Sequence, residues 1–196
     1  GNHEFDKGYA DLAGRIRSLA QWEYLAANLD YADTIAAEDR LAPTWTKEID
    51  GKTVGFVGAI TEDLPQLVNQ AGIEGITVTD VVEATNAAAA DLKADGADLV
   101  ILLVHEGAPS TNCTSPAFTD AATAWGNIVA NTSADVDAII SGHTHLAYNC
   151  RITVDDWSGR DVTKRPVVSA GQYGTNLNKL VFKFDGDNLA AIGQEI

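Results

Sequence analysis

Two short apolar runs, each stopping at a histidine, restrict what this chain can become. Asp98-Leu99-Val100-Ile101-Leu102-Leu103-Val104 leads into His105, and Val136-Asp137-Ala138-Ile139-Ile140 leads into Ser141-Gly142-His143-Thr144-His145. Near-continuous apolar runs of this length read as strands buried on both faces, the kind found in parallel sheets. Such sheets place their sites beyond the strand ends, which is where these histidines fall. His143 and His145 are one residue apart, so in an extended or turning backbone their imidazoles point in different directions. That geometry suits two adjacent metal ions better than one. The other two of the four histidines, His3 and His105, also stand beside Gly or at the end of an apolar run.

The rest of the chain alternates strand and helix before turning β-rich. Leu12, Ile16 and Leu19 have helical spacing within Asp6 to Ala20, and Tyr24 to Asn28 reads as a short strand. Residues Asp30 to Asp50 read as loop and edge structure, and Lys52 to Ile60 as a strand. Asp80 with Glu83 resembles a capping arrangement ahead of an Ala-rich helix from Val81 to Lys93. Ser115-Pro116 is a helix start, with Phe118, Ala122, Trp125 and Val129 as one apolar face. Beyond Cys150, the segments Arg151 to Val154, Pro166 to Ala170 and Lys179 to Phe184 read as short strands between turns. The pattern predicts an α/β architecture of two packed sheets flanked by helices.

Composition narrows the function classes. Lys plus Arg number 13 against 28 for Asp plus Glu, a formal charge of -15. That balance argues against binding nucleic-acid polymers or anionic membranes, and no run is long enough for a membrane span. It is compatible with a small phosphate substrate if metal ions reverse the local field. The chain begins at Gly1 and contains no Met, so the reading is a piece of a longer polypeptide. The two cysteines, Cys113 and Cys150, sit in polar, loop-like settings. A disulfide between them implies an oxidising, extracytoplasmic location; the other reading is two unrelated thiols.

Three clusters carry the chemistry: Gly1-Asn2-His3-Glu4, His105-Glu106-Gly107 and Gly142-His143-Thr144-His145. Imidazole with oxygen donors suits borderline divalent ions such as Zn, Mn or Fe. Together with the later Ala170-Gly171-Gln172-Tyr173-Gly174, these clusters resemble, in order and wide spacing, the calcineurin-like metallophosphoesterase superfamily and within it the secreted bacterial 5'-nucleotidase family. The resemblance implies a four-layer α/β/β/α sandwich and a pair of divalent ions. It implies that Asn2, His105 and His143 bind one ion, that His145 reaches the second, and that His3 stabilises the transition state or protonates the leaving group. The implied partner is a small phosphate ester, a nucleotide.

The departures from the family pattern carry their own expectations. In the family an Asp-x-His motif and a Gly-Asp motif precede the Gly-Asn-His-Glu stretch and supply further ligands, including the carboxylate that bridges both ions. In residues 1–196 neither motif precedes Gly1-Asn2-His3-Glu4. These residues read as a partial metallophosphatase domain missing an N-terminal βαβ portion and a C-terminal nucleotide-binding domain, and as inactive or nearly so alone. The alternative is a non-catalytic metal-binding or interaction module with the same fold. Among acidic neighbours, Asp6 reads best as a helix N-cap, while Glu4 and Glu106 could orient imidazoles. Asp155-Asp156 and Asp185-Gly186-Asp187 read better as turns than as a calcium loop. Gln172 and Tyr173 either line the site or pack a turn. No Gly-x-Ser-x-Gly elbow is present for a serine nucleophile.

Overall fold

The computed structural model describes residues 1–196. Short helices α1 (Tyr9–Asp11) and α2 (Arg17–Leu19) are joined into one helical stretch by a π-helical turn over Leu12–Ile16. Then come β1 (Leu29–Tyr31), β2 (Thr44–Ile49), β3 (Lys52–Ile60), α3 (Leu64–Leu67), β4 (Ile76–Val78), α4 (Val81–Ala94), β5 (Leu99–His105) and α5 (Ala124–Asn131). Strands β6 (Ala138–Ser141), β7 (Ala147–Thr153), β8 (Lys164–Ala170), β9 (Lys179–Asp185) and β10 (Asn188–Glu195) complete the chain. A six-stranded sheet in the order β2-β3-β5-β6-β8-β7 is the centre of the molecule. Its inner strands β3, β5, β6 and β8 are parallel, and β2 and β7 close the edges antiparallel.

The apolar runs behave as their composition requires. Val100, Leu102, Val104 and Ile139 face α4 and α5 in the main core. On the opposite face, Val54, Leu99, Ile101 and Ala138 are covered by Leu180, Phe182, Phe184 and Leu189 of the β9–β10 hairpin. The layers are therefore helices, central sheet and a two-stranded second sheet, the α/β arrangement expected. Helix α4 starts where Asp80 Oδ1 accepts the Glu83 N–H over 2.7 Å, which satisfies one of the orphan donors of the first turn. No helix is long and apolar enough to cross a membrane.

Two aspartates set the strand register at the lower end of the sheet. Asp98, just before β5, accepts the Thr53 N–H over 2.8 Å and pairs with Lys52 Nζ at 2.9 Å. Asp137, just before β6, accepts the Val100 N–H over 2.8 Å and pairs with Lys93 Nζ at 2.9 Å. Each carboxylate thus grips the neighbouring strand at its first residues. Burial pushes the Asp137 carboxyl above the usual range, against the pull of Lys93.

Several sequence expectations need correction. Tyr24 to Asn28 is not a strand; it makes only an isolated bridge between Leu25 and Ala42. It crosses β3 closely, so that a Cβ at Gly58 would lie 2.3 Å from the Leu25 Cβ. The strand falls one step later, at β1, which pairs with β4. Neither β4 nor β10 was expected, and β2 lies within the region read as loop and edge. The helix expected after Ser115-Pro116 is broken: a 3-10 turn over Pro116–Phe118 is followed by a separate α5 capped by Thr123, whose Oγ1 accepts the Gly126 N–H over 3.0 Å. Asp120 Oδ1 takes the Ala122 N–H over 3.1 Å, a local turn that competes with helix. Ala122 is consequently exposed, yet Phe118 and Trp125 still meet edge to face with ring centroids 5.7 Å apart.

Two further features hold the later half together. Cys113 and Cys150 form a disulfide, tying the loop after β5 to β7. Arg165, 2% exposed, donates to the carbonyls of Val136 (2.8 Å), Thr132 (3.1 Å) and Ser133 (2.5 Å), and its guanidinium lies over the Trp157 ring. Burial pulls its pKa down to about 10, leaving it charged at neutral pH.

Replacing Arg165 with Met leaves those carbonyls without donors, and urea denaturation should show a loss of about 3 kcal/mol. Replacing both cysteines with Ser should cost about 4 kcal/mol on the chain-entropy model for this loop length. Unchanged midpoints in either variant would contradict these assignments.

Candidate metal centre

The parallel register brings the chemistry to one level. Ile60 of β3 lies opposite His105 of β5, and Val104 lies opposite Ser141 of β6. The residues leaving these strands therefore emerge side by side at the carboxyl edge. His105 is half-buried there. Asn2 reaches it from a 3-10 turn over Asn2–Phe5, which buries Asn2 and Phe5 and turns His3 outward. Phe5 anchors that turn in a secondary core with Tyr9, Leu12, Leu29, Ile60 and Leu64.

Among the candidate donors, Asn2 Oδ1 lies 2.8 Å from His105 Nε2. With Nε2 protonated this is a hydrogen bond; with Nε2 bare, both atoms are electron-pair donors of the kind that binds a divalent ion. Burial first, with the neighbouring His143 adding to it, lowers the His105 pKa to about 4. The imidazole is neutral at pH 7, the form that binds metal. The His143 ring stands edge-on to it, centroids 5.1 Å apart.

The segment after β6 is held in an unusual backbone conformation. Thr144 N–H donates to the Gly142 carbonyl over 2.7 Å, closing a three-residue γ-turn around His143, whose φ is 66°. His145 follows with φ 61°. Positive φ is costly for residues with a Cβ and persists only where surroundings enforce it. Here the Gly142 N–H donates to the Glu106 carbonyl over 3.1 Å. Gly107 lies beneath the turn, where a Cβ would stand 2.2 Å from the Gly142 carbonyl oxygen and 2.6 Å from Thr144 Oγ1.

The turn parts the two histidines, as their spacing suggested. His143 lies beside His105, while His145 is exposed, its nearest aromatic being Tyr173 at 6.3 Å. Tyr173 is itself 88% exposed with φ 58°. His3 is also exposed, its Nδ1 3.0 Å from Asp6 Oδ2. The structure thus gathers Asn2, His105 and His143 and leaves His3 and His145 at the rim. No group of three or more His, Cys, Asp or Glu side chains converges as a metal cage. The donor set fits one ion in part, with an amide oxygen and two imidazoles and no carboxylate.

The acidic neighbours differ from the reading of the sequence. Asp6 is not an N-cap: it closes the C-terminal end of the 3-10 turn, and its carboxylate faces His3. Glu106 orients no imidazole; its carboxylate accepts from Thr61 Oγ1 at 2.8 Å and from the Gly107 N–H at 2.9 Å. Asp155-Asp156 lies in a 3-10 turn, and Asp187 pairs with Lys52 beside the β9–β10 turn. The Gln172 carbonyl accepts from the Thr175 N–H and hydroxyl. Thr61 and Tyr148 escaped the sequence reading. Tyr148 was detectable only as one of the inward members of the alternating Tyr148, Cys150, Ile152 series in β7.

In sequence and in fold the chain is similar to known proteins. The family model described as calcineurin-like phosphoesterase matches residues 1–147. The trifunctional nucleotide phosphoesterase protein YfkN of Bacillus subtilis is 32% identical over 161 residues, covering 74% of this chain and 10% of its own length. A cell wall protein of Listeria monocytogenes is 29% identical over 171 residues, covering 76% of this chain and 22% of its own. The crystal structure of a 5'-nucleotidase precursor from Thermus thermophilus superposes with a TM-score of 0.77 at 23% identity, covering 100% of this chain and 37% of that one. The chain therefore spans a minor part of each of these relatives. With the ordered motifs, the fold and the family model in agreement, this chain belongs to the calcineurin-like phosphoesterases.

Proposed function

We propose that this chain carries part of the catalytic centre of a metal-dependent phosphoric ester hydrolase of the 5'-nucleotidase kind. Its substrates are 5'-nucleotides or related phosphate esters. The observation that carries the proposal is the approach of Asn2 Oδ1 to His105 Nε2 at 2.8 Å beside the His143 ring. Asn2, His105 and His143 would hold one divalent ion, Zn, Mn or Fe, and His145 a second. When bound, such ions act as Lewis acids on the phosphoryl oxygens and lower the pKa of water.

The remaining steps fall to the chain's own side chains. Asn2 and His105 would keep the ion at the carboxyl edge of β5, and His143, beside His105 in the γ-turn, would be the third donor. His3 is free to approach a substrate because its turn faces outward. With Nδ1–H donated to Asp6, its Nε2 is the atom left to hold or deliver a proton at the leaving-group oxygen. The Cys113–Cys150 disulfide, the Listeria cell wall relative and the Thermus precursor support an extracytoplasmic site of action.

Residues 1–196 offer the first ion three neutral donors and the second a single imidazole, so we infer weak metal uptake and little turnover from these residues alone. In calorimetry with Mn2+ or Zn2+, His143→Ala should weaken binding about tenfold or more, while His145→Ala should leave the first site within about twofold. AMP hydrolysis by the same polypeptide should stay near background. Normal turnover from it, or metal affinity indifferent to His143→Ala, would overturn the proposal.

A further inference from the structure

Tyr148 is absent from the donor set, yet its buried hydroxyl stands where the two histidine-bearing segments meet. The N–H of Ala108, three residues past His105, donates to the phenol oxygen over 3.1 Å. The same oxygen lies 2.6 Å from the hydroxyl of Ser141, two residues before His143. Ser141 Oγ donates onward to the Val168 carbonyl over 2.8 Å, leaving a lone pair to accept the phenol proton. The direction of the chain is fixed at both ends, because a backbone N–H only donates and a carbonyl only accepts. Proton donation therefore runs from Ala108 to Tyr148, to Ser141, to β8.

The phenol is held as firmly as the segments it joins. Its ring packs edge to face against Phe118 and Trp125, with centroids 5.5 and 5.8 Å away. Its strand is tied by the Cys113–Cys150 disulfide to the loop that follows β5. The β5–β6 ladder pairs Val104 with Ser141, and just beyond it the Gly142 N–H donates to the Glu106 carbonyl at 3.1 Å. The phenol carries the tie on to Ala108, past the end of the ladder.

We infer that Tyr148 is a positioning residue of the phosphoesterase site, its hydroxyl setting the separation of the His105 and His143 imidazoles and through it the affinity for the divalent ion. This rests on the reading that Asn2, His105 and His143 hold that ion. A purely structural Tyr148 would contribute stability and nothing else, and the two roles separate experimentally.

The test compares Tyr148→Phe, Ser141→Ala and Phe118→Leu in the 196-residue chain. Three quantities are read: melting temperature without metal, imidazole resonances without metal, and Mn2+ or Zn2+ affinity by calorimetry. Tyr148→Phe removes the hydroxyl and keeps the ring; Ser141→Ala cuts the same link from the other side and serves if the first variant folds poorly. Both should shift the His105 and His143 resonances and weaken ion binding about tenfold, whereas Phe118→Leu should lower the melting temperature and leave affinity within about twofold. Unshifted resonances and unchanged affinity in both hydroxyl variants would overturn the inference, as would a Phe118→Leu variant that lost as much affinity as Tyr148→Phe. A parent chain that took up neither ion would refute the metal reading instead, and the imidazole resonances would then decide whether Tyr148 positions the two rings.

Discussion

The parallel register of β3, β5 and β6 is the constraint on which the rest of the molecule depends. It is fixed below by Asp98 and Asp137, each accepting an N–H from the neighbouring strand, and it is expressed above as Ile60 level with His105 and Ser141 one residue lower, level with Val104. A one-residue slip would reverse the faces of every side chain in the slipped strand. Leu102 and Val104 would leave the helix-facing core, and His105 would turn away from Asn2. Core packing and site geometry are therefore both set by the same strand register.

Above the sheet, the site is built from hydrogen bonds to main-chain groups more than from contacts between its histidines. Glu106 joins the end of β3 to the start of the next loop through Thr61 and Gly107, and its carbonyl receives the γ-turn. These links fall at loop starts, where unpaired N–H groups would otherwise be buried at a cost of about 1–3 kcal/mol each. Satisfying them and placing the imidazoles are one arrangement. At the opposite end, Arg165 plays a comparable part by gathering the carbonyls between α5 and β6.

Much of this could be read from the amino-acid sequence, and the failures have physical causes. β5 and β6 were legible because burial on both faces demands unbroken apolar runs, and α4 because Ala-rich sequence and a cap agree. The disulfide fitted two cysteines in polar surroundings. β1 and β4 were illegible because three residues carry no measurable period. The break after Phe118 was hidden because Phe118 and Trp125 share a helical spacing and do touch, only across a turn. Gathering Asn2, His105 and His143 was expected from motif order, whereas the roles of Thr61, Glu106 and Tyr148 depend on register, which no local pattern reveals. Arg165 was invisible for a related reason: its partners are carbonyls, which every residue has.

The left-handed backbone of His143 and His145 has an evolutionary consequence. Glycine would adopt those angles without strain, so loss of either imidazole to glycine relaxes the loop even as it removes a candidate ligand. Sequence drift under selection for thermal robustness alone would push this segment toward glycine. Two residues with a β-carbon at such angles are therefore a cost in stability that glycine would not carry, one that the hydrogen bonds around the γ-turn have to offset.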